Sequence, residues 1–300
     1  MRNEKELLYV LSFFAFGLGA CVASFLNVVI WRVPRGESIV SPPSHCPKCG
    51  APIRWWQNIP VLSWLALRGK CANCRAPISP RYICVELLGG ALFLAVFLHV
   101  FGLDATTAQI LDASFPELFA LFVWWVWVAL MIVGSFIDFD HQLLPDFVTV
   151  GGMVLGVVCH AVLTFVSWYS LPPYDHTLVG LFGYPVVSSL VGLVFGFGLL
   201  WLVRWLGSKA FGREAMGMGD VFLMGAVGAL FGPVAVLVTL ILSSVFGSVV
   251  GVGMMALSKA KLGRFVAIPY GPYICLGCLA WMFFGPELVT SYLRFVGVAV

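Results

Sequence analysis

Long apolar runs constrain this chain more than any other feature of its sequence. They lie at about 7–30, 83–102, 117–137, 147–169, 181–206, 220–232, 234–257 and 270–297. A helix needs about 20 apolar residues to cross a bilayer. Only 10% of the residues are charged, against about 25% in soluble domains. The sequence therefore predicts an all-α polytopic membrane protein with about eight transmembrane helices. The sixth run is short, and Gly232-Pro233 can break it from the seventh as one arm of a helical hairpin.

The positive charges predict an orientation for these spans. Eight crossings place 14 of the 17 lysines and arginines on one face, and basic loops are cytoplasmic. We therefore expect this face to lie in the cytoplasm and both termini to lie outside. The residues concerned are Arg32, Arg35, Lys48, Arg54, Arg68, Lys70, Arg75, Arg81, Arg204, Lys209, Arg213, Lys259, Lys261 and Arg264.

The polar stretch after the first span contains two C-x-x-C pairs, Cys46 with Cys49 and Cys71 with Cys74. Four thiolates suit the tetrahedral preference of Zn²⁺, and one tight turn can supply two of them. The alternative is a pair of disulfides, which a reducing cytoplasm disfavours. We expect a structural zinc site, and three regions: 1–30 as a first transmembrane helix, 31–82 as a cytoplasmic zinc-binding domain, and 83–300 as the transmembrane core.

Two aspartates stand at the ends of apolar runs. Asp138 ends the third span and Asp220, in Gly217-Met218-Gly219-Asp220, opens the sixth. Two spans separate them, so both carboxyls return to one face of the membrane. Ionisable groups in such positions indicate function. Two carboxyls within reach of each other share a proton, so that one activates water and the other polarises a carbonyl. The alternative for each is a helix cap or a solvated charge.

Other polar residues near the membrane edges have simpler interpretations. Asp146 precedes the fourth span and is expected to cap it. Asp140 and His141 are expected to be loop residues. For Asn27 and Glu86 we favour hydrogen bonds between helices over contacts to a cofactor.

Ordered motifs over nearly the whole chain resemble the bacterial type IV prepilin peptidase family. They are residues 23–34, the paired C-x-x-C, 53–65, Arg81-Tyr82, 85–88, Ile137-Asp138, 144–146, 217–220 and 268–273.

The resemblance implies an aspartic endopeptidase that removes the leader peptides of type IV prepilins and type II secretion pseudopilins. Many members then methylate the new N-terminus with S-adenosyl-L-methionine. Asp138 and Asp220 match the catalytic pair, and the four cysteines match the family's tetrad. Expected partners are these substrates and the lipid bilayer, with the pilus or secretion assembly machinery as a further candidate. No nucleic acid partner is expected.

Three residues depart from the family pattern. Phe222 stands where the G-x-G-D-x-K motif has lysine, which puts catalytic strength and methylation in question. Ala23 replaces a usual glycine at a close-packed helix face. Cys84 replaces a usual proline and is expected to affect only how the second span begins.

Two other classes of protein fit parts of the sequence. A transporter would use the acidic residues as ion ligands near the bilayer centre, but here they sit at span ends and no inverted repeat is visible. A membrane scaffold would use the cysteine module to bind an assembly ATPase. Ion uptake in proteoliposomes would favour the first, and stable co-purification without proteolysis the second.

Overall fold

The structure is a computed structural model that describes residues 5–170, 185–257 and 269–297. Its α-helices are α1 (Glu6–Arg32), α2 (Leu62–Ala66), α3 (Pro80–Phe101), α4 (Thr107–Leu111), α5 (Phe115–His141), α6 (Asp146–Ser170), α7 (Pro185–Phe211), α8 (Met218–Leu257) and α9 (Gly271–Phe295). These residues contain no β-strand, only two isolated bridges. The all-helical prediction is confirmed.

The described residues contain seven helices long and apolar enough to cross a membrane. In hydrocarbon a helix is favoured because it satisfies its own backbone donors and acceptors. The sequence predicted about eight transmembrane helices. The numbers differ because the single element α8 contains both the sixth and the seventh predicted apolar runs. At Gly232 the backbone leaves helical geometry, with φ 80° and ψ −179°, and Pro233 follows.

The break in α8 reverses the chain. A β-carbon built on Gly196 of α7 would lie 2.4 Å from the Met224 carbonyl oxygen and 3.1 Å from a Val236 methyl carbon. In an uninterrupted helix these two residues would stand about 18 Å apart along the axis. Element α8 is therefore a hairpin of two helical arms, as the Gly232-Pro233 pair predicts.

The chain divides into two compact units, residues 1–133 and 134–300. In the first unit α1 and α3 pack through small residues. A β-carbon on Gly89 would lie 2.4 Å from the Ala23 β-carbon, so alanine is accommodated here because its partner is a glycine. Helix α3 begins at Pro80, capped by the Ser79 hydroxyl. Cys84 consequently lies inside the helix and not at its start.

The second unit is built around the α8 hairpin, which contacts α6, α7 and α9. Its closest approach is between glycines: a β-carbon on Gly192 of α7 would lie 2.1 Å from the Gly228 carbonyl oxygen. The Ser189 hydroxyl, buried beside this contact, donates to the Ala229 carbonyl at 2.7 Å. Close backbone packing of this kind is how helices associate where lipid is as apolar as their side chains.

Some predictions fall outside the described residues. These are Lys259, Lys261 and Arg264 of the predicted basic face, Ile268 of the last motif, and residues 181–184 of the predicted fifth span.

Candidate functional site

Asp138 lies in the last turns of α5 and is only 6% exposed. Its Oδ2 accepts a hydrogen bond of 3.0 Å from the backbone N–H of Gly271, at the first turn of α9. That N–H has no partner within its own helix, since the first four N–H groups of any helix lack one. A β-carbon at Gly271 would lie 2.8 Å from the same oxygen, so this approach requires glycine.

Asp220 lies in the first turn of α8 and is 8% exposed. The backbone of Gly217 interacts with its carboxyl group. Its Oδ1 is buried and has no hydrogen-bond partner. Most buried polar atoms are satisfied, so an orphaned carboxyl oxygen is a place for a ligand or a reacting group.

Leu144, between α5 and α6, brings the two acidic residues together. Its Cδ1 lies 3.3 Å from a β-carbon built on Gly219 and 3.2 Å from one built on Gly271. Gly219 precedes Asp220, and Gly271 holds Asp138. The two carboxyl groups are therefore close enough to interact electrostatically. Two carboxyls in one buried site, one held by a backbone donor and one with an open oxygen, form the arrangement that acid–base hydrolysis needs.

The structure adds neighbours that the sequence did not single out. Cys275, one turn along α9 from Gly271, interacts with Ser135 and lies within electrostatic range of both aspartates. Tyr270, just before α9, shares a hydrogen bond of 2.7 Å with the buried hydroxyl of Ser243 on the second arm of α8. The only sequence signal that the start of α9 belongs to the site was the motif at residues 270–273, Tyr-Gly-Pro-Tyr.

The remaining acidic and aromatic candidates lie outside this pair. Asp140 and His141 were predicted to be loop residues, but they form the exposed last turn of α5. Asp146 is the exposed first residue of α6. The Phe222 ring packs against Phe197 of α7, with centroids 5.5 Å apart. The residue that replaces the expected lysine is thus part of an apolar contact between helices.

In the first unit, Asn27 behaves as predicted. It is buried in α1 and its amide donates to the Tyr82 carbonyl of α3 at 3.2 Å. Glu86 differs. Its buried carboxyl accepts the Val61 N–H at 2.7 Å, so it holds the start of the short helix α2 rather than a neighbouring transmembrane helix. Val61 has φ 63°, which is strained for a β-branched residue.

The four predicted cysteines come together, and their sulfur atoms all lie within 4.8 Å of one another. Two matching turns place them. In the first turn the Cys46 N–H donates to the Ala51 carbonyl at 2.9 Å, and the Cys46 carbonyl accepts the Gly50 N–H at 2.9 Å. In the second turn the Cys71 N–H donates to the Ala76 carbonyl at 2.8 Å, and the Cys71 carbonyl accepts the Arg75 N–H at 3.1 Å. All nine cysteines are free thiols. This cluster can hold a metal ion, and four cysteine sulfurs are a donor set that Zn²⁺ commonly takes in structural sites.

Hydrogen bonds within the cluster already favour thiolates at part of the site. The backbone N–H groups of Cys74 and Asn73 lower the pKa of Cys71 to about 6. The Ala76 N–H lowers the pKa of Cys74, but burial and the neighbouring sulfurs outweigh it and raise that pKa to about 11. A bound cation would stabilise four thiolates at this spacing, because metal-binding cysteines are deprotonated.

A cavity of about 380 Å³ lies beside the C-terminal half of α1 in the first unit. Its lining is partly polar and partly apolar, and its only charged lining residue is Arg32. A second cavity, of about 630 Å³, is lined by apolar side chains of α1, α3, α4 and α5.

Comparisons with known proteins match both units of the chain. The model of the bacterial peptidase A24 N-terminal domain matches residues 18–100. That of the type IV leader peptidase family matches residues 125–252. No solved structure matches the chain.

Relatives named prepilin leader peptidase/N-methyltransferase include the following three. The Stutzerimonas stutzeri protein is 35% identical, over 94% of this chain and 93% of its own length. The Pseudomonas aeruginosa protein is 34% identical, over 93% of this chain and 92% of its own length. The Myxococcus xanthus protein is 40% identical over 83% of this chain, which spans 64% of that relative. With a buried aspartate pair, a four-cysteine cluster and similarity over nearly its whole length, this chain belongs to the type IV leader peptidase family.

Proposed function

We propose that this membrane protein is an aspartic endopeptidase that removes the leader peptides of type IV prepilins and type II secretion pseudopilins. The orphaned, buried Oδ1 of Asp220 beside the backbone-held Asp138 carries the proposal. The family and the names of the relatives agree with this activity. They favour a peptidase over the transporter and scaffold alternatives.

The geometry suggests separate roles for the two carboxyls. Asp138 enters the reaction already held by the Gly271 N–H. The open oxygen of Asp220 can bind the attacking water or the scissile carbonyl. The pair holds one proton between its members. As the water oxygen bonds to the carbonyl carbon, the ionised carboxyl takes a proton from the water and the protonated carboxyl gives its proton to the carbonyl oxygen. When the C–N bond breaks, the first carboxyl protonates the leaving amine and a hydroxyl of the intermediate returns a proton to the second, so the pair again holds one proton. Burial of both groups excludes bulk water and strengthens these interactions.

We propose that the site acts at the cytoplasmic face of the bacterial inner membrane. The predicted basic face supports this orientation. A substrate with an apolar segment can then remain in the bilayer while its leader lies in the cytoplasm. In this arrangement residues 31–82 form the zinc-binding domain, with Cys46, Cys49, Cys71 and Cys74 as the metal ligands. A closed site with four protein ligands leaves no position for substrate, so we assign the metal a structural role.

The relatives' names add N-methyltransferase activity, and we expect S-adenosyl-L-methionine to donate a methyl group to the new N-terminus. This donor is a net cation, with a sulfonium and an ammonium group against one carboxylate. The cavity beside α1 has Arg32 and no acidic lining residue. That cavity therefore does not fit the donor, and we assign no residue to methyl transfer.

The peptidase proposal is tested by co-expressing a prepilin with the enzyme and measuring its mass, which reports cleavage and methylation together. Asp138→Asn and Asp220→Asn should each abolish cleavage, while Asp140→Asn, an exposed change in the same helix as Asp138, should not. Cleavage by either of the first two variants at the normal rate would refute the assigned pair.

Phe222 requires its own test. Because its ring packs against Phe197 and each carboxyl has a backbone partner elsewhere, Gly271 for Asp138 and Gly217 for Asp220, Phe222→Lys should leave the cleavage rate unchanged. A large gain in rate would show that this chain is a weakened member of the family.

A further inference from the structure

The cavity beside α1 has one polar end and one apolar wall. Arg32, in the last turn of α1, forms the polar end, with Ser44 and Asn58 nearby. Towards the middle of α1 the lining consists of Val28, Phe25, Ser24 and Cys21, of which only Ser24 carries an oxygen. The lining therefore changes from charged to mainly apolar along a helix that enters the bilayer.

Arg32 is a buried charge without a counter-charge. It is only 7% exposed. Its Nη1 donates to the Ser38 carbonyl at 2.8 Å and its Nη2 to the Pro42 carbonyl at 2.7 Å. These acceptors are neutral, and the ion pairs found in the described part of the chain do not include Arg32. Burying an uncompensated charge is costly, so the cavity favours an anionic ligand.

The position of the cavity indicates the source of that anion. The last turn of α1 lies at a membrane edge, and the predicted orientation makes it the cytoplasmic edge. The cytoplasmic leaflet carries anionic lipids, and basic pockets beside transmembrane helices bind their headgroups. Phe25 is about half exposed at the apolar end, where an acyl chain would continue into the bilayer.

We propose that this cavity binds an anionic phospholipid, with the phosphate at Arg32 and the upper acyl chain along Val28 and Phe25. The guanidinium has donors left after its two backbone bonds, and phosphate is an acceptor that arginine recognises well. The segment that Arg32 holds, from Ser38 to Pro42, leads directly to the first cysteine turn at Cys46. A bound lipid therefore secures the connection between α1 and the cysteine cluster.

The test uses the full-length protein, delipidated and placed in nanodiscs of phosphatidylcholine with or without phosphatidylglycerol. Native mass spectrometry counts retained lipids, and thermal unfolding reports stabilisation. Arg32→Gln should weaken phosphatidylglycerol retention by about tenfold or more, the value of one charge-assisted hydrogen bond. Arg35→Gln is the matched control. Arg35 carries the same charge three residues on, but it is exposed and its guanidinium lies over the Trp31 ring, 3.7 Å from the centroid.

Ser24→Leu fills the cavity without changing the charge, and it should also reduce retention. This variant keeps the proposal testable if Arg32→Gln does not fold, as judged by metal content and by unfolding in phosphatidylcholine alone. Equal losses in Arg32→Gln and Arg35→Gln would overturn the site in favour of general surface attraction. Stabilisation by inorganic phosphate as strong as that by the lipid, or displacement of the lipid by S-adenosylhomocysteine, would overturn the lipid as occupant.

Discussion

The most direct test of the aspartate pair is a single methyl group at Gly271. In Gly271→Ala the new β-carbon would lie 2.8 Å from Asp138 Oδ2, 3.3 Å from its Cγ and 3.2 Å from Leu144 Cδ1. The nearest atom is the end of a side chain, so the carboxyl must move and the helix need not. We therefore expect a large effect on catalysis and a smaller one on stability.

The magnitude follows from the hydrogen bond that is disturbed. The 3.0 Å bond from the Gly271 N–H to Asp138 belongs to the charge-assisted class, which contributes about 1.5–3 kcal/mol. Its loss corresponds to a fall of about 10- to 150-fold in kcat/KM. Crowding of the site should cost about 1 kcal/mol of stability, at the low end for overpacking.

The assay is cleavage of a purified prepilin in detergent, with thermal unfolding measured on the same sample. Gly198→Ala is the matched control, since a β-carbon on Gly198 meets no atom within 4 Å. If Gly271→Ala cleaved as fast as Gly198→Ala, the proposed role of the α9 N-terminus in holding Asp138 would be refuted. Equal losses of stability and activity would also refute it, because they would indicate general unfolding.

Other parts of the structure give further predictions. Gly192→Ala should lower the unfolding temperature, because its β-carbon would lie 2.1 Å from the Gly228 carbonyl oxygen and a helix backbone cannot move aside as a side chain can. We expect the free energy of unfolding to fall by about 1–3 kcal/mol. Cys46→Ser should remove the bound metal, measured by elemental analysis, because three sulfurs no longer close a tetrahedral site. Tyr270→Phe, which loses the bond to Ser243, should lower kcat by about fivefold with KM unchanged.

Each of these variants has a control that differs only in its surroundings. Gly198→Ala is the control for Gly192→Ala. Cys84→Ser, at an exposed cysteine outside the cluster, is the control for Cys46→Ser. Tyr292→Phe, at an exposed tyrosine of α9, is the control for Tyr270→Phe. Full metal content in Cys46→Ser would contradict the four-cysteine site. A Gly192→Ala protein as stable as its control would contradict the glycine contact between α7 and α8.

Local patterns predicted much of this arrangement. The length and apolarity of the runs predicted the membrane helices, because hydrocarbon permits few other structures. The C-x-x-C spacing predicted the two cysteine turns. The number of membrane crossings between them predicted that Asp138 and Asp220 lie on the same face of the membrane. The Gly232-Pro233 pair indicated the hairpin in α8, since proline has no backbone N–H to continue the helical ladder.

Contacts between distant segments could not be predicted in this way. The N–H donor for Asp138 comes from Gly271, 133 residues along the chain. No periodicity indicates that Leu144 lies against the glycines of two other helices. Arg32 illustrates the same limit, since the charge pattern grouped it with the basic residues of the predicted cytoplasmic face, whereas the fold buries it. Burial depends on which segments pack together, and a single sequence does not record that.

The hairpin in α8 also has a consequence for biosynthesis. Its first arm, residues 218–231, rises only about 21 Å, less than the roughly 30 Å of hydrocarbon. The break at Gly232 therefore needs protein around it, and α7 supplies Ser188, whose oxygen lies 3.1 Å from a β-carbon built on Gly232. We expect this arm to enter the membrane only after α7 is in place. The synthesis order of the chain, in which α7 precedes α8, thus provides the partner before it is required.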